Sequence, residues 1–345
     1  MSTPQKAPCV AAFGEILLRL KAPGHERLLQ SAELEATFGG AEANVLASLA
    51  ADGVSTRMIT VLPTNPLGDA AMGDLRQYGV DMSRVLRAEG RLGTYYLEAG
   101  AGARASRVLY DRAHSVFASA ASDSIDWTVA LDGASWLHLS GITPALGESS
   151  AALTIAAAQR AKSMGLTVSC DYNHRASLWS ADRGPVPVME ALMPYVDIGI
   201  AGRSDCQVML GIDAPMATTD EDAWFRALGE RVLSAFPSLR MQVITRRDGD
   251  SAGRYGWSAC AVDRDGFHVS RRYAIDEVVD RVGAGDAFSA GLLYAMLDGR
   301  DHASALEFAT AASCLKHSIP GDVNRARAAE VDALLAGHGG GRIQR

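Results

Sequence analysis

Apolar residues along this chain fall into short continuous runs that alternate with longer stretches repeating every three to four positions. CVAAFGEILLRL (residues 9–20) begins as a buried strand and passes through Gly14 and Glu15 into a second strand-like piece. AEANVLASLAADG (41–53) carries apolar positions at helical spacing and stops at Gly53, and TRMITVLP (56–63) follows as a strand. The rhythm returns with SWLHLSG (135–141) as strand, SAALTIAAAQRAKSMG (150–165) as helix and LTVSCDYN (166–173) as strand. YVDIGIAG (195–202) and MQVITR (241–246) read as two more strands. Strands alternating with helices of ten or more residues predict an α/β fold, a central, mostly parallel sheet with helices on both faces.

Two regions break the rhythm. GTYYLEAGAGARASRVLYDR (93–112) reads as two strands joined by a small-residue turn, with no helix between, and SAELEATF (31–38) is strand-like as well. These predict a small antiparallel β lid, built from about 15–38 and 93–112, over a single domain spanning 1–345. The glycine-rich stretch at 336–345 reads as a frayed tail.

Composition narrows the function classes. A chain of 345 residues that is 48% apolar can build a large core, burying roughly three quarters of its unfolded surface. A net charge of −7 argues against a nucleic-acid partner. The five cysteines are scattered, odd in number and never spaced as CxxC, which predicts reduced thiols without a disulfide framework or zinc site. The N-terminal segment lacks the pattern of a signal peptide, and no apolar run reaches membrane length. The expectation is a cytoplasmic protein with no membrane partner.

The candidate chemistry lies in VVDRVGAGDAFSAGLLYAM (278–296), where a glycine turn runs directly into a helical pattern. Phe288, Leu292, Leu293 and Met296 share one helical face, so Gly283, Ala284 and Gly285 fall where backbone N–H groups lack intrahelical partners. A glycine-rich helix N-terminus is a ready anion site. Asp286 beside it has two readings. It is either a helix-capping acid or a general base beside a bound phosphoryl group, a role worth roughly a hundredfold to ten-thousandfold in rate. Two other phosphate motifs fail. GxxxxGK[ST] is absent, and GAGARA (100–105) precedes strand-like sequence rather than a helix, so it reads as a hairpin turn.

DRVGAGDAFSAG (280–291) resembles the C-terminal signature of the ribokinase-like (PfkB-type) carbohydrate kinases, and FGGAEANVLASLAADG (38–53) resembles their N-terminal glycine-pair motif. The two stand in the family's order, more than 200 residues apart. The resemblance implies a ribokinase-like three-layer α/β/α fold, Asp286 as general base, and Gly283, Ala284 and Gly285 as anion hole. It also implies ATP and Mg²⁺ as cofactors.

A sugar acid needs a cation, and arginine grips a carboxylate at two points. Arg112 shares a strand face with Tyr110, and Arg175 follows a core strand, where ligands of open α/β sheets collect. Each alone reads as an ordinary solvated arginine; together, on lid and floor, they suggest an acid substrate. RVLYDRAHS, LHLSGITPAL, DYNHRASLW and LKHSIPGD resemble the 2-keto-3-deoxygluconate kinases, with similarity from about Phe13 to Asp322. That resemblance implies phosphorylation of the C6 hydroxyl of 2-keto-3-deoxygluconate. It places Gly40, Tyr96, Tyr110, Arg112, Arg175 and Asp322 around the keto acid, with Asn44 and Ile142 near it. Asn173 and Arg175 would border the nucleotide phosphates.

Two stretches depart from the family pattern. Where an NxxE motif is usual, the chain has Gly202-Arg203-Ser204-Asp205, leaving Asp205 to meet magnesium through water. Where a KxGxxG-like nucleotide loop is usual, it has VITRRDGDSAGRYGW (243–257), with Thr245, Arg246 and Gly249 assigned to ATP and Arg247 either there or in water. Three other features keep plainer readings: His138 is a hydrogen-bonded core residue, Lys316 and His317 are helix-end charges, and Glu15 is a substrate contact or a turn. The alternatives are a kinase of fructose, ribose or 2-keto-3-deoxygalactonate, and a sugar-acid-binding regulator with impaired catalysis. Exposed lid strands suggest a homodimer.

Overall fold

β1 (Cys9–Phe13) sends Val10 and Ala12 to one side of the sheet and Ala11 and Phe13 to the other, into two separate apolar cores. A computed structural model describes residues 8–101, 104–179, 182–213, 216, 218–249 and 254–338. The remaining strands are β2 (Leu17–Lys21), β3 (Glu35–Gly39), β4 (Ser55–Pro63), β5 (Asp81–Ala88), β6 (Thr94–Glu98) and β7 (Arg107–Asp111). They continue with β8 (Trp136–Ser140), β9 (Thr167–Asp171), β10 (Ile198–Gly202), β11 (Met241–Asp248), β12 (Tyr255–Asp263), β13 (Phe267–Val269) and β14 (Tyr273–Ile275).

The main sheet runs β13-β12-β11-β10-β9-β8-β1-β4-β5, with β14 also paired to β12. From β5 to β11 every pairing is parallel, and β12 then adds in antiparallel fashion. On one face lie the helices Ala41–Ala51, Ala284–Leu297 and His302–Lys316, which bury Leu46, Phe288, Leu292 and Phe308. The opposite face carries Glu148–Ser163, Pro185–Leu192 and Glu221–Ala235, burying Leu153, Leu192 and Leu228. On β4, Met58 and Leu62 join the first core while Ile59 and Val61 join the second, as the two-residue period of a strand requires. The result is the three-layer arrangement that the alternating pattern predicts.

A second, four-stranded sheet, β3-β2-β6-β7, forms the lid. Its β2–β3 and β6–β7 pairs are antiparallel and are joined side by side by a parallel pairing of β2 with β6. The GAGARA turn contributes an Ala101–Arg104 bridge, with residues 102 and 103 outside the described set. The tail from 339 onward also lies outside it. Among the described residues, no helix is long and apolar enough to cross a membrane.

Candidate active site

The helix Ala284–Leu297 begins at the glycine turn, with Gly283 at its N-terminal cap. Gly283 has φ +81°, and a Cβ there would lie 1.9 Å from the Asp322 carbonyl oxygen, so both conformation and space require glycine. Ala284 N–H turns back to the Arg281 carbonyl at 3.2 Å. The N–H groups of Gly283, Gly285 and Asp286 have no acceptor among the described residues, and all three residues line one cavity of about 610 Å³. A Cβ at Gly285 would meet nothing within 4 Å, so the space beside that glycine belongs to the cavity rather than to packing.

The cavity opens at the carboxyl ends of the parallel strands, where open α/β sheets collect ligands. Ile142 follows β8, Asn173 and Arg175 follow β9, Asp205 follows β10, and Thr245 sits on β11. Gly40 and Asn44 approach from the start of the helix Ala41–Ala51, Tyr110 and Arg112 from the lid, and Asp322 from the loop after the helix His302–Lys316. Asn173 holds φ +40°, an uncommon conformation for a side-chain-bearing residue, of the kind that gathers at functional sites.

Asp286 accepts a hydrogen bond from Asn44 Nδ2 at 2.6 Å. Its carboxyl is raised to about 7, first by burial and then by Asp322 and Glu42, against the lowering effects of the Asn44 hydrogen bond and Arg175. Asp171, at the end of β9, is pushed up to about 8, first by burial and then by Asp286 and Asp205. Asp205 accepts from Gly202 N–H at 2.9 Å at the start of its own helix. Arg175 is exposed in the cavity with no acidic group in hydrogen-bonding reach among the described residues, though its charge lowers both Asp286 and Asp171. A carboxyl that titrates near neutrality beside open amide N–H groups can take a proton from a hydroxyl while the amides hold an anion.

The lid side is held by ion pairs and hydrogen bonds. Arg112 Nε donates to Glu15 at 2.7 Å and its Nη2 donates to the same oxygen, while Ser115 Oγ donates to the other Glu15 oxygen at 2.5 Å. Arg112 Nη1 has no acceptor among the described residues. Tyr95 donates to Asp322 Oδ2 at 2.6 Å, and Arg19 donates to Asp322 Oδ1 and, at 2.6 Å, to Asp280. A Cβ on Gly40 would lie 2.1 Å from the Glu15 carbonyl oxygen, and one on Gly39 would lie 2.0 Å from Asp322 Oδ2. The glycine pair is where the lid's root and the Asp322 loop crowd the helix start.

The sequence matches the pfkB family carbohydrate kinases over residues 8–327. The chain belongs to that family. The kinase is 30% identical to a 2-dehydro-3-deoxygalactonokinase of Haloferax volcanii, over 95% of this chain and 96% of that protein. It is 26% identical to a 2-dehydro-3-deoxygluconokinase of Bacillus subtilis, over 90% of each. Among solved structures, a 2-dehydro-3-deoxygluconokinase of Thermotoga maritima superposes with a TM-score of 0.90 at 43% identity, covering 95% of this chain and 99% of that one.

Three residues assigned to the kinase's site lie outside the cavity. Tyr95, not Tyr96, lines it, because Tyr95 pairs across the lid with Tyr110 while Tyr96 pairs with Leu109 on the opposite face. Arg247, not Arg246, lines it for the same reason of strand parity; Arg246 turns to Asp222 at 2.6 Å and lies over the Phe225 ring. Gly249 sits at φ +114° where the β11–β12 hairpin begins its turn, and 250–253 lie outside the described residues. Asp171 and Glu42 line the cavity without having been singled out from sequence; Glu42 is held by Ser140 and Thr143 hydroxyls at 2.7 and 3.0 Å.

The plainer readings divide. His138 is a buried core residue 2.9 Å from Ser169 Oγ, and burial lowers it to about 4, so it is neutral. Glu15 lines the cavity and anchors Arg112. Lys316 ends its helix but is fully buried rather than solvated, its Nζ donating to the carbonyls of Ile319 at 2.9 Å and Asp280 at 3.4 Å. Far from the cavity, Asp263, Asp265 and His302 bring ligand atoms within 4.8 Å of one another. Asp263 already accepts from two turn amides and lies within hydrogen-bonding distance of two histidines, which occupies its oxygens without an ion.

Proposed function

We propose that this carbohydrate kinase is a sugar-acid kinase that transfers the γ-phosphoryl group of ATP to the C6 hydroxyl of 2-keto-3-deoxygluconate. The observation that carries this reading is Asp286, a carboxyl raised to about 7 beside the open turn 283–285, in a cavity that also presents Arg112 and Arg175. Asp286 takes the hydroxyl proton as the C6 oxygen bonds to phosphorus and the bond to ADP breaks. The N–H groups of Gly283, Gly285 and Asp286 receive the transferred oxygens, where preorganised donors are worth about 3 kcal/mol each. Asn44 fixes the Asp286 carboxylate so that its free oxygen meets the acceptor.

Arg112 Nη1 and the unpaired Arg175 offer the substrate carboxylate its charge-assisted hydrogen bonds. Tyr110 lies beside Arg112, whose guanidinium carbon is 5.6 Å from the ring centroid, and it walls the sugar from the lid side. Thr245, Arg247 and Asn173 border the path of the phosphates. Magnesium suits the floor: Asp171 is raised first by burial and then by the charges of Asp286 and Asp205, so a cation there would offset that repulsion. Asp171 and Asp205 would hold the ion directly or through water, and its charge would shield the phosphates. The altered NxxE stretch therefore still leaves two carboxylates for the ion.

The galactonate epimer is the second reading, favoured by the identity to the Haloferax volcanii kinase. The test is ATP consumption by wild type and Asp286→Asn on 2-keto-3-deoxygluconate, its C4 epimer, fructose and ribose. The reading expects turnover on a keto-deoxy acid well above the neutral sugars, and loss in the variant. Equal zero turnover in both proteins would instead favour a sugar-acid-binding regulator.

A further inference from the structure

The lid meets the body through few apolar contacts. Its own cluster is Leu17, Tyr95 and Leu97, against which the body packs Val282, and Leu18 and Phe38 reach the main core near the lid's root. What crosses the remaining interface is charge. Arg19, on β2, is 2% exposed and bridges Asp280 and Asp322, which are 7% and 5% exposed. Lys316 lies fully buried behind them, its Nζ donating to the backbone carbonyls of Ile319 and Asp280, and its charge acts on both carboxylates.

Both carboxylates held by Arg19 belong to the framework of the phosphate-binding turn. Asp280 accepts from Val282 N–H at 3.0 Å and from Gly321 N–H at 3.1 Å, fixing the three residues before Gly283 and the loop beside it. Asp322 presses its carbonyl on Gly283 so closely that no side chain fits there, and its other carboxylate oxygen takes the lid's Tyr95. The lid therefore grips the two groups that shape the anion hole. Asp322, which also lines the cavity, has both oxygens engaged by lid side chains, so the lid fixes how it faces the site.

We infer that Arg19 is a positioning residue, a latch that joins lid closure and the shape of the turn 283–285 into one event. This rests on the kinase reading only for its catalytic consequence. When Arg19 releases Asp280 and Asp322, the lid opens and the turn loosens together, admitting water as a competing acceptor. In that side reaction a water oxygen bonds to the γ-phosphorus, the bond to ADP breaks, and Asp286 takes the water's proton.

Arg19→Met alone leaves two buried carboxylates undercompensated and risks unfolding the protein. The informative variant is Arg19→Met combined with Asp280→Asn, which removes one charge of each sign. Asp280→Asn alone, which keeps Arg19 on Asp322, is the reference. Hydrogen exchange of the full-length protein is read first, because it needs no turnover. The double variant is expected to exchange residues 17–21 and 94–98 at least about tenfold faster than the reference, while β8 and β9 are unchanged. With ATP, its ratio of sugar-independent to sugar-dependent ATP consumption is expected to rise about tenfold, and Arg19→Lys, which can still reach one carboxylate, to fall between.

Lid exchange equal to the reference overturns the latch. Faster lid exchange with an unchanged consumption ratio overturns its positioning role. If wild type phosphorylates only a neutral sugar, the keto-deoxy-acid reading fails and the ratio is read on that sugar. If wild type turns over nothing, exchange alone decides the latch.

Discussion

The two walls of the cavity treat charge in opposite ways. On the floor, Asp171 and Asp286 stand without a cationic partner in hydrogen-bond reach among the described residues and are raised to about 8 and about 7. Against the lid, Glu15 is tied to Arg112 and Ser115, and Asp322 of the body is tied to the lid's Arg19 and Tyr95. Unpaired carboxylates cost stability in the free protein but are poised to receive a proton or a cation. Paired ones hold a geometry. The floor is built for chemistry and the lid for placement, so substitutions on the two walls should fail differently.

The largest effect belongs to the floor. Asp286→Asn should lower kcat by about a hundredfold to ten-thousandfold with KM values little changed, measured by steady-state ATP-coupled assays. Arg175→Ala should raise KM for the keto-deoxy acid about tenfold, with less effect on a neutral sugar. It should leave the melting temperature unchanged, since Arg175 is exposed and its one protein hydrogen bond is to the neighbouring His174 carbonyl.

Asp171→Asn should do the reverse to stability. The folded protein keeps protons on Asp171 and Asp286 up to about pH 8 and about pH 7, whereas unfolded carboxyls release them near pH ~4. The folded state thus binds more protons across that window, so the contribution of these groups is full below it and is lost as pH rises through 7 and 8. Thermal unfolding of the free protein at pH ~8.5 should place Asp171→Asn about 3 °C above wild type, with the gap shrinking toward pH ~5. A variant melting below wild type at the higher pH would contradict an uncompensated floor.

The smallest effects test strand parity. Tyr96→Phe and Arg246→Ala should leave KM for acid and ATP within about twofold, as substitutions outside the cavity do. Tyr95→Phe and Arg247→Ala should exceed that. If Tyr96 matters more than Tyr95, the lid register is wrong by one residue.

These outcomes mark what a sequence can show here. The alternation of periods was enough to read the three-layer sheet, and the glycine turn was enough to locate the helix end, because both are local patterns. The lid strands were legible for the same reason. The face of a short strand is not: one residue of register separates Tyr95 from Tyr96 and Arg247 from Arg246, and only long-range pairing sets it. β12 hid because its first residues lie in the stretch read as a nucleotide loop, and Gly256, Ser258 and Asp263 interrupt its apolar run although all nine positions are buried. Asp171 gave no signal because its environment is made by burial and by Asp286 and Asp205, all set by residues distant in sequence. Lys316 looked like an ordinary helix-end lysine, and nothing local foretold its burial behind Asp280.

The most direct test of the division between the walls is the pH dependence of kcat/KM, which reports the groups of the enzyme before substrate binds, measured for wild type and Arg175→Ala. The floor's electrostatics predict an acid limb near 7 in wild type and a limb moved to higher pH in the variant, since Arg175 holds the Asp286 carboxyl down. A wild-type limb near pH ~4, the ordinary carboxylate range, or a limb that the variant leaves in place, would contradict it.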